Sequence, residues 1–242
     1  MKLANLIEEL SDFDTALLAN TIGYLDPTPP HEWYMGRTIA SCTPAVGPTV
    51  GVAMTLEIDT SSPGNRPEPE NYYRLLRAIE REPTPVVLVI KAVGRRPDHE
   101  CVLGDGMAKM LHSVGCVGVV TDGGVRDLEG IRTIPFGVYA HGLVVHHCAP
   151  RYVHYNRPVE VGGIRVEPGQ LIHANVGGVI RIPRAVAPRL PVAATMMRAF
   201  EYEAHRIFRR TDLSITRKRR EVEALVAGLK WPAVPRRQRG RR

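Results

Sequence analysis

The stretch Gly104–Asp127, which reads GDGMAKMLHSVGCVGVVTDGGVRD, decides the fold that the sequence predicts. Apolar residues recur in it at the spacing of one helix face, and they are Met107, Met110, Leu111 and Val114. The run 117–121 that follows is apolar and β-branched, which is typical of a strand. An Asp-Gly-Gly turn then leads into the closing Arg-Asp pair, so the stretch predicts a helix, a strand and two polar loops.

A further strand is predicted upstream at 86–90. The resulting order is strand, Gly-Asp-Gly loop, helix, strand and Arg-Asp loop, which describes a βαβ unit with parallel strands. Loops that follow neighbouring parallel strands lie at the same edge of a sheet, where α/β folds place their ligands. We therefore expect Asp105 to lie close to Arg126 and Asp127.

Working outward, hydrophobic periodicity predicts the remaining elements. Helices are predicted at 3–25 (two, broken near 11–14), 71–81, 196–208 and 215–229. Strands are predicted near 38–40, at 50–58 and 135–140, and as short segments with tight turns between 157 and 183, while 60–69 reads as a loop. We divide the chain into a catalytic domain (1–193), a C-terminal helical extension (194–230) and a basic tail (231–242) that we expect to be disordered.

The composition is sufficient for a real hydrophobic core and shows no membrane span. Hydrophobic residues make up 44% of the 242 residues, and no apolar run approaches the roughly 20 residues of a membrane span. The first residues lack a cationic segment followed by an apolar one, so no signal peptide is expected. The four cysteines form no CxxC pair, which favours a reduced cytoplasmic setting and leaves a single disulfide open.

The positive charge is concentrated at the C-terminus. The net charge is +7, but the part from Arg206 onward holds 13 Lys or Arg and 3 Asp or Glu, against 19 and 22 in the rest of the chain. Such a run can bind nucleic acid or an acidic surface. We interpret it instead as a solvated helix face followed by a frayed tail, and we expect no nucleic-acid partner.

The residue types of the two polar loops suit a small anion and a metal. Free backbone amides at a helix start favour a carboxylate or phosphate, and Arg126 offers a planar fork for an oxo acid. Asp127 is a hard oxygen ligand for Mg²⁺ or Mn²⁺, and Asp105 can relay a proton. On spacing alone, an equally good reading is a helix cap at Asp105 and a surface ion pair at Arg126 and Asp127.

The central pattern resembles a known family. Asp105, twenty intervening residues and Arg126-Asp127 are similar to the D-x20-R-D signature of the RraA-like family, which includes 4-hydroxy-4-methyl-2-oxoglutarate aldolases and regulators of ribonuclease E activity. The stretches 50–55, 119–127, 158–169 and 178–183 also resemble family strands, and the likeness runs from about residue 14 to about residue 220. It implies an α/β fold, a swivelling β/β/α-type sandwich with C-terminal helices.

The resemblance also implies residue roles. The amides of the loop Gly104, Asp105, Gly106 and Met107 would hold a pyruvyl carboxylate, and Arg126 would bind the oxo and carboxylate oxygens. Asp127 would anchor the divalent cation, Mg²⁺ or Mn²⁺, partly through waters. Asp105 would orient the water that exchanges protons with the substrate.

The implied function is a metal-dependent lyase. It would cleave a 4-hydroxy-2-oxo dicarboxylic acid to release pyruvate and would also decarboxylate oxaloacetate, as a homotrimer or hexamer with the site between subunits. One alternative is a regulator that binds an RNA-degrading enzyme. Another is a related metal-dependent enzyme that acts on a different oxo acid.

Several positions depart from the family pattern. An acidic residue often stands where this chain has Gly130, with Glu129 one position early, and the acidic pair of the closing segment is replaced across 170–178. We expect this segment, the histidines (His141 and His173 among them) and a neighbouring subunit to form the far wall of the pocket. Glu201 and Glu203 are candidates for a carboxylate that a neighbouring subunit supplies.

Overall fold

The computed structural model describes residues 2–229. Its helices are α1 (Leu3–Leu10), α2 (Thr15–Leu25), α3 (Glu70–Glu80), α4 (Asp105–Ser113), α5 (Leu128–Ile131), α6 (Leu190–Phe208) and α7 (Ile215–Gly228). Its strands are β1 (Ala40–Ser41), β2 (Thr49–Asp59), β3 (Val86–Ala92), β4 (Cys101–Leu103), β5 (Cys116–Thr121), β6 (Gly124–Val125), β7 (Gly137–Ala140), β8 (Gly142–Leu143), β9 (Arg151–Tyr155), β10 (Val159–Val161), β11 (Ile164–Val166), β12 (Leu171–Asn175) and β13 (Gly178–Ile182).

A mixed eight-stranded sheet forms the centre of the described part. Its strands follow the order β1-β7-β5-β3-β2-β12-β13, and β9 pairs with the far half of β2. Strands β2, β3, β5 and β7 run parallel, whereas β12 is antiparallel to both of its neighbours, β2 and β13. The predicted βαβ unit is therefore confirmed, since β3 and β5 are parallel neighbours and α4 lies between them in the chain.

The two faces of the sheet bury different layers, as the two-residue period of a strand requires. On β3, Val86, Leu88 and Ile90 join the larger core, which also holds the buried faces of the helices. The intervening Val87 and Val89 join a second core with the hairpin β10–β11. The result is a hairpin layer, a sheet layer and a helix layer, which confirms the predicted β/β/α architecture.

Most predicted helices are present. The first two are separate, and Asp14 caps α2 by accepting a hydrogen bond from the Leu17 amide at 2.8 Å. Helix α6 begins at Leu190, earlier than predicted, and none of the helices within 2–229 is long and apolar enough to cross a membrane. The tail 231–242 lies outside the described residues, and the division into domains stays a prediction.

Helix α4 corrects the prediction of its apolar face. Its buried residues are Ala108 and Leu111, whereas Met110 is 43% exposed.

The strand before α4 also differs from the prediction. The three-residue strand β4 precedes α4, so the Gly-Asp-Gly loop follows β4 and not β3. Because β4 pairs with β6 in a small three-stranded sheet with β8, this sheet and not the large one carries both polar loops.

His173 is fully buried under the N-terminal helices. Its Nε2 lies 3.2 Å from the Leu10 carbonyl oxygen, so Nε2 carries the proton and donates. Its Nδ1 then accepts from the Thr15 hydroxyl at 3.0 Å. Desolvation lowers the pKa of His173 from 6.5 to about 4, although the hydrogen bond to the Leu10 carbonyl opposes the shift. The ring is therefore neutral in the folded protein at pH 7.

We expect this histidine to make folding sensitive to acid. The unfolded chain binds a proton at His173 near pH 6.5, while the folded chain resists it to about pH 4. Stability is therefore lost as the pH falls through this window, by about 3 kcal/mol in total. The free energy of unfolding, measured by urea denaturation between pH 7 and pH 4.5, checks this.

The matched control for that measurement is His173→Gln, which keeps amide donors and acceptors but does not titrate. The exposed His154 offers a second control as His154→Gln. The glutamine variant at 173 should lose most of the pH dependence that the wild type and His154→Gln share. Equal slopes in all three proteins would contradict the assignment.

Candidate active site

The two polar loops converge because their strands are neighbours. Strands β4 and β6 pair in parallel, with Leu103 opposite Val125, and the Arg126 amide donates to the Leu103 carbonyl at 2.9 Å. Gly104 lies against both side chains of the second loop. A methyl group there would come within 3.1 Å of Asp127 Oδ2 and 3.2 Å of Arg126 Nε. The predicted proximity of the loops is thus present, on a different pair of strands.

A cleft with a volume of about 250 Å³ opens between these loops and a second wall. All six predicted site residues line it, from Gly104 to Met107 and at Arg126 and Asp127. The second wall comes from the end of β2, from β4 and from the segment that enters β9. Its residues are Ile58, Thr60, Cys101, Val102, Leu103, His147, Pro150 and Tyr152.

Arg126 presents an unused donor. Its Nε lies 3.1 Å from Asp127 Oδ2, which is close enough for an ion pair. The same Nε is buried and makes no hydrogen bond within the described residues. The N–H points away from the carboxylate, and a hydrogen bond weakens steeply when it is misaligned. A buried N–H without an acceptor is costly, and a bound anion would supply one.

Asp127 has an uncommon backbone conformation for a residue with a side chain. Its φ of 57° and ψ of 38° lie in the left-handed region, which costs free energy and often marks functional sites. Asp127 directly precedes α5, yet its carboxylate makes no capping hydrogen bond to that helix. The carboxylate is therefore available to the cleft, and its side chain is 45% exposed.

Asp105 begins α4, where its carboxylate contacts Lys109 and lies close to Gly130. Its Oδ2 lies 2.7 Å from Lys109 Nζ, one helical turn later. Across the cleft rim, a methyl group on Gly130 would come within 2.6 Å of the same oxygen. The Lys109 hydrogen bond is the main cause that lowers the pKa of Asp105, helped by the charges of Lys109 and Arg126 and opposed by slight desolvation. Asp105 is thus an anion at neutral pH, and Gly130 leaves it the space it occupies.

Other residues with open roles lie away from this cleft. His141 lines a separate cleft beside Asp98 and Asp122, and Glu201 accepts a hydrogen bond from Asn20 of α2. Glu203 pairs with Arg206 on the same helix, and Glu129 is exposed on α5.

The prediction of the far wall is wrong for the segment 170–178 and is met at one of the histidines, His147, while the contribution of a neighbouring subunit stays a prediction. The segment 170–178 forms most of β12 and the turn into β13, which pack on β2, and His173 is buried there. The wall contains His147 together with Thr60, Pro150 and Tyr152, none of which the sequence pattern predicted apart from the histidine. They are brought in by the pairing of β9 with β2, and no local pattern could reveal a contact over such a separation.

Comparisons with known proteins place these features in context. A family model described as RraA-like (Aldolase/RraA) matches residues 29–181. A putative 4-hydroxy-4-methyl-2-oxoglutarate aldolase of Halalkalibacterium halodurans is 28% identical over 114 residues, which are 46% of this chain and 52% of that protein. A 4-hydroxy-4-methyl-2-oxoglutarate aldolase of Thermus thermophilus is 29% identical over 108 residues, 44% of this chain and 65% of that protein. The chain thus spans about half to two thirds of the length of these curated relatives.

The fold has solved counterparts. A Streptomyces coelicolor protein described as an unusual member of the RNase ES inhibitor RraA protein family superposes with a TM-score of 0.67. The match covers 84% of this chain and 97% of that one at 20% identity. At this identity the likeness concerns the fold alone.

Proposed function

Because the chain belongs to the RraA-like family, we propose that it is a divalent-metal-dependent carbon–carbon lyase. Its substrate is a 4-hydroxy-2-oxo dicarboxylic acid of the 4-hydroxy-4-methyl-2-oxoglutarate type, which it cleaves to release pyruvate, and it also decarboxylates oxaloacetate. The observation that carries the proposal is the buried Arg126 Nε, which lies in ion-pair distance of Asp127 but forms no hydrogen bond within residues 2–229, in a glycine-walled cleft. We further propose a homotrimer or hexamer as the assembly.

The start of α4 supports recognition of the substrate carboxylate. The first amides of a helix have no intrahelical partner, and they lie at the positive end of the helix dipole. Gly104 and Gly106 line the cleft at this point and leave the backbone accessible. In the proposal these amides bind the carboxylate at C1, and Arg126 donates to the adjacent oxo oxygen.

The donor set fits a hydrated Mg²⁺ or Mn²⁺ better than a fully protein-bound ion. No group of three or more His, Cys, Asp or Glu residues within 2–229 converges on a metal position. Mg²⁺, however, keeps several waters and needs only one or two carboxylates, and Asp127 offers one on the cleft wall. In the proposal Asp127 holds the cation, which supplies Lewis-acid polarisation of the substrate's oxo oxygen.

The chain's own residues then account for the rest of the chemistry. Cleavage leaves an electron pair on C3, which is delocalised as the enolate of pyruvate. The guanidinium of Arg126 stabilises the negative charge that develops on the C2 oxygen. Asp105, held as an anion by Lys109, orients a water that returns a proton to C3. Gly104 and Gly106 carry no side chains, so the space that the C1 carboxylate would occupy stays open.

The test is pyruvate release, measured with a coupled dehydrogenase on oxaloacetate and on a 4-hydroxy-2-oxo diacid, with and without Mg²⁺ or Mn²⁺. We expect metal-dependent turnover of both, and Asp127→Asn should lower kcat/KM roughly 10²-fold because the cation loses its anchor. The exposed Asp98 supplies a matched control, since Asp98→Asn should change nothing. No metal-dependent pyruvate from the wild type would refute the proposal.

A further inference from the structure

We propose that His147 is the catalytic base that takes the proton from the C4 hydroxyl of the substrate during aldol cleavage. The inference rests on the function proposed above and specifies its substrate as a 2-oxo acid that carries a hydroxyl at C4. The role requires a proton acceptor in the cleft besides the carboxylate-binding loop, and His147 lines the cleft from the separate segment that precedes β9.

The position of His147 suits the far end of the substrate. It lines the same cleft as Arg126 and Asp127 but belongs to the other wall, in the segment that leads into β9. The neighbouring wall is largely apolar, with Ile58, Pro150 and Tyr152 beside it. Among the residues that line this wall, His147 is the one with an imidazole ring, the side chain that most often serves as a general base.

The hydrogen bond of the ring selects the tautomer that a base needs. His147 Nδ1 lies 2.6 Å from the carbonyl oxygen of Cys148. A carbonyl only accepts, so Nδ1 must carry the proton and donate. In the neutral ring Nε2 then has a free lone pair, and the described residues provide no hydrogen bond to it. A second group that fixes the tautomer of a base is the usual arrangement in acid–base catalysis.

A buried carboxylate holds this wall in place. The Cys148 amide donates to the Thr60 carbonyl at 2.7 Å. Thr60 in turn donates from its amide and its hydroxyl to Oε2 of Glu100, each at 2.9 Å. Glu100 is fully buried, so the loop that carries His147 is tied to the interior through two hydrogen-bonded steps. Such support is what a positioned base requires.

The proton balance separates two reactions at one site. In aldol cleavage the C4 hydroxyl loses its proton to Nε2, the C4–O bond becomes a carbonyl and the C3–C4 bond breaks. The electron pair of that bond moves to C3 and is delocalised as the enolate. Oxaloacetate has no C4 hydroxyl, and its C3–C4 bond breaks with release of CO₂ and formation of the same enolate. A base for the hydroxyl proton therefore serves the first reaction only.

Two variants test the assignment on the full chain with Mg²⁺. In His147→Asn the side-chain amide can still donate to the Cys148 carbonyl, while His147→Gln places an amide nearer the position of Nε2. Neither amide accepts a proton at neutral pH. We expect both variants to lower kcat for cleavage of a 4-hydroxy-2-oxo diacid by about 10²-fold or more. The fold-loss in the rate of oxaloacetate decarboxylation should be at least ten times smaller than the fold-loss in aldol cleavage. The exposed control His154→Gln should affect neither rate.

The outcomes are distinct. A selective loss of aldol cleavage supports the inference, and retained decarboxylation shows that the variants are folded and bind the cation. Equal loss of both reactions would make His147 a binding or structural residue, and no loss in either reaction would remove it from the site. A wild-type protein without metal-dependent pyruvate release from either substrate would overturn the proposed function itself and this inference with it.

Discussion

Replacing Arg126 with methionine is expected to lower kcat/KM for pyruvate release by about 10³-fold with either substrate. The guanidinium is the described cationic group that lines the cleft beside Asp127, and its buried Nε has no hydrogen-bond acceptor before a substrate binds. Negative charge moves onto the C2 oxygen in both reactions, so the loss of this donor should affect both. The measurement is steady-state kinetics with the coupled pyruvate assay at saturating Mg²⁺.

Two further variants make the Arg126 result specific. Arg126→Lys keeps the charge but loses the planar fork, so it should recover only part of the rate. Arg132→Met removes an exposed arginine whose described contact is a 3.4 Å hydrogen bond to the Cys42 carbonyl, and it should behave as the wild type. If Arg126→Met kept wild-type kinetics, the stabilisation of the enolate would have to come from another group, and the proposed role of Arg126 would be wrong.

The loops that carry the candidate site could be predicted because their signals are local. A glycine pair at a helix start and an Arg-Asp pair after a β-branched run can be recognised within a few residues. The strands that join the loops could not be predicted in this way. Strand β4 has three residues and β6 has two, which is too short for any periodicity. The prediction that Asp105 lies near Arg126 rests on two parallel neighbouring strands. Such strands are present, but they are β4 and β6 and not the two predicted ones.

Most of the second wall of the cleft lay beyond prediction for a different reason. His147 and Tyr152 reach the site through the antiparallel pairing of β9 with β2, across more than ninety residues of chain. Pairing of this kind is decided by the complementary burial of distant segments, and a single sequence does not display it. His173 is the opposite case. It was predicted to lie near the pocket, but it is buried in the core against Leu10 and Thr15.

Replacing Glu100 with alanine is expected to lower the free energy of unfolding by about 4 kcal/mol. Its carboxylate accepts from the Thr60 amide, from the Thr60 hydroxyl and from the Ser61 hydroxyl. Alanine would leave three buried donors without acceptors, each worth about 1–3 kcal/mol, less the gain from no longer burying a carboxylate. Urea denaturation at pH 7 measures the change.

The surroundings of Glu100 provide a control for the mechanism of that loss. Glu100→Gln keeps the shape and one acceptor, so it should cost less than the alanine variant, and Glu80→Ala on the exposed end of α3 should cost under about 0.5 kcal/mol. A methyl group on Gly94 would collide with the Glu100 carboxylate and with the Ser61 hydroxyl, so Gly94→Ala should also destabilise the protein, and by less in the Glu100→Ala background, where the first collision is gone. Full additivity of the two substitutions would show that they act separately. In that case the penalty at Gly94 would come from the Ser61 hydroxyl and not from the Glu100 carboxylate.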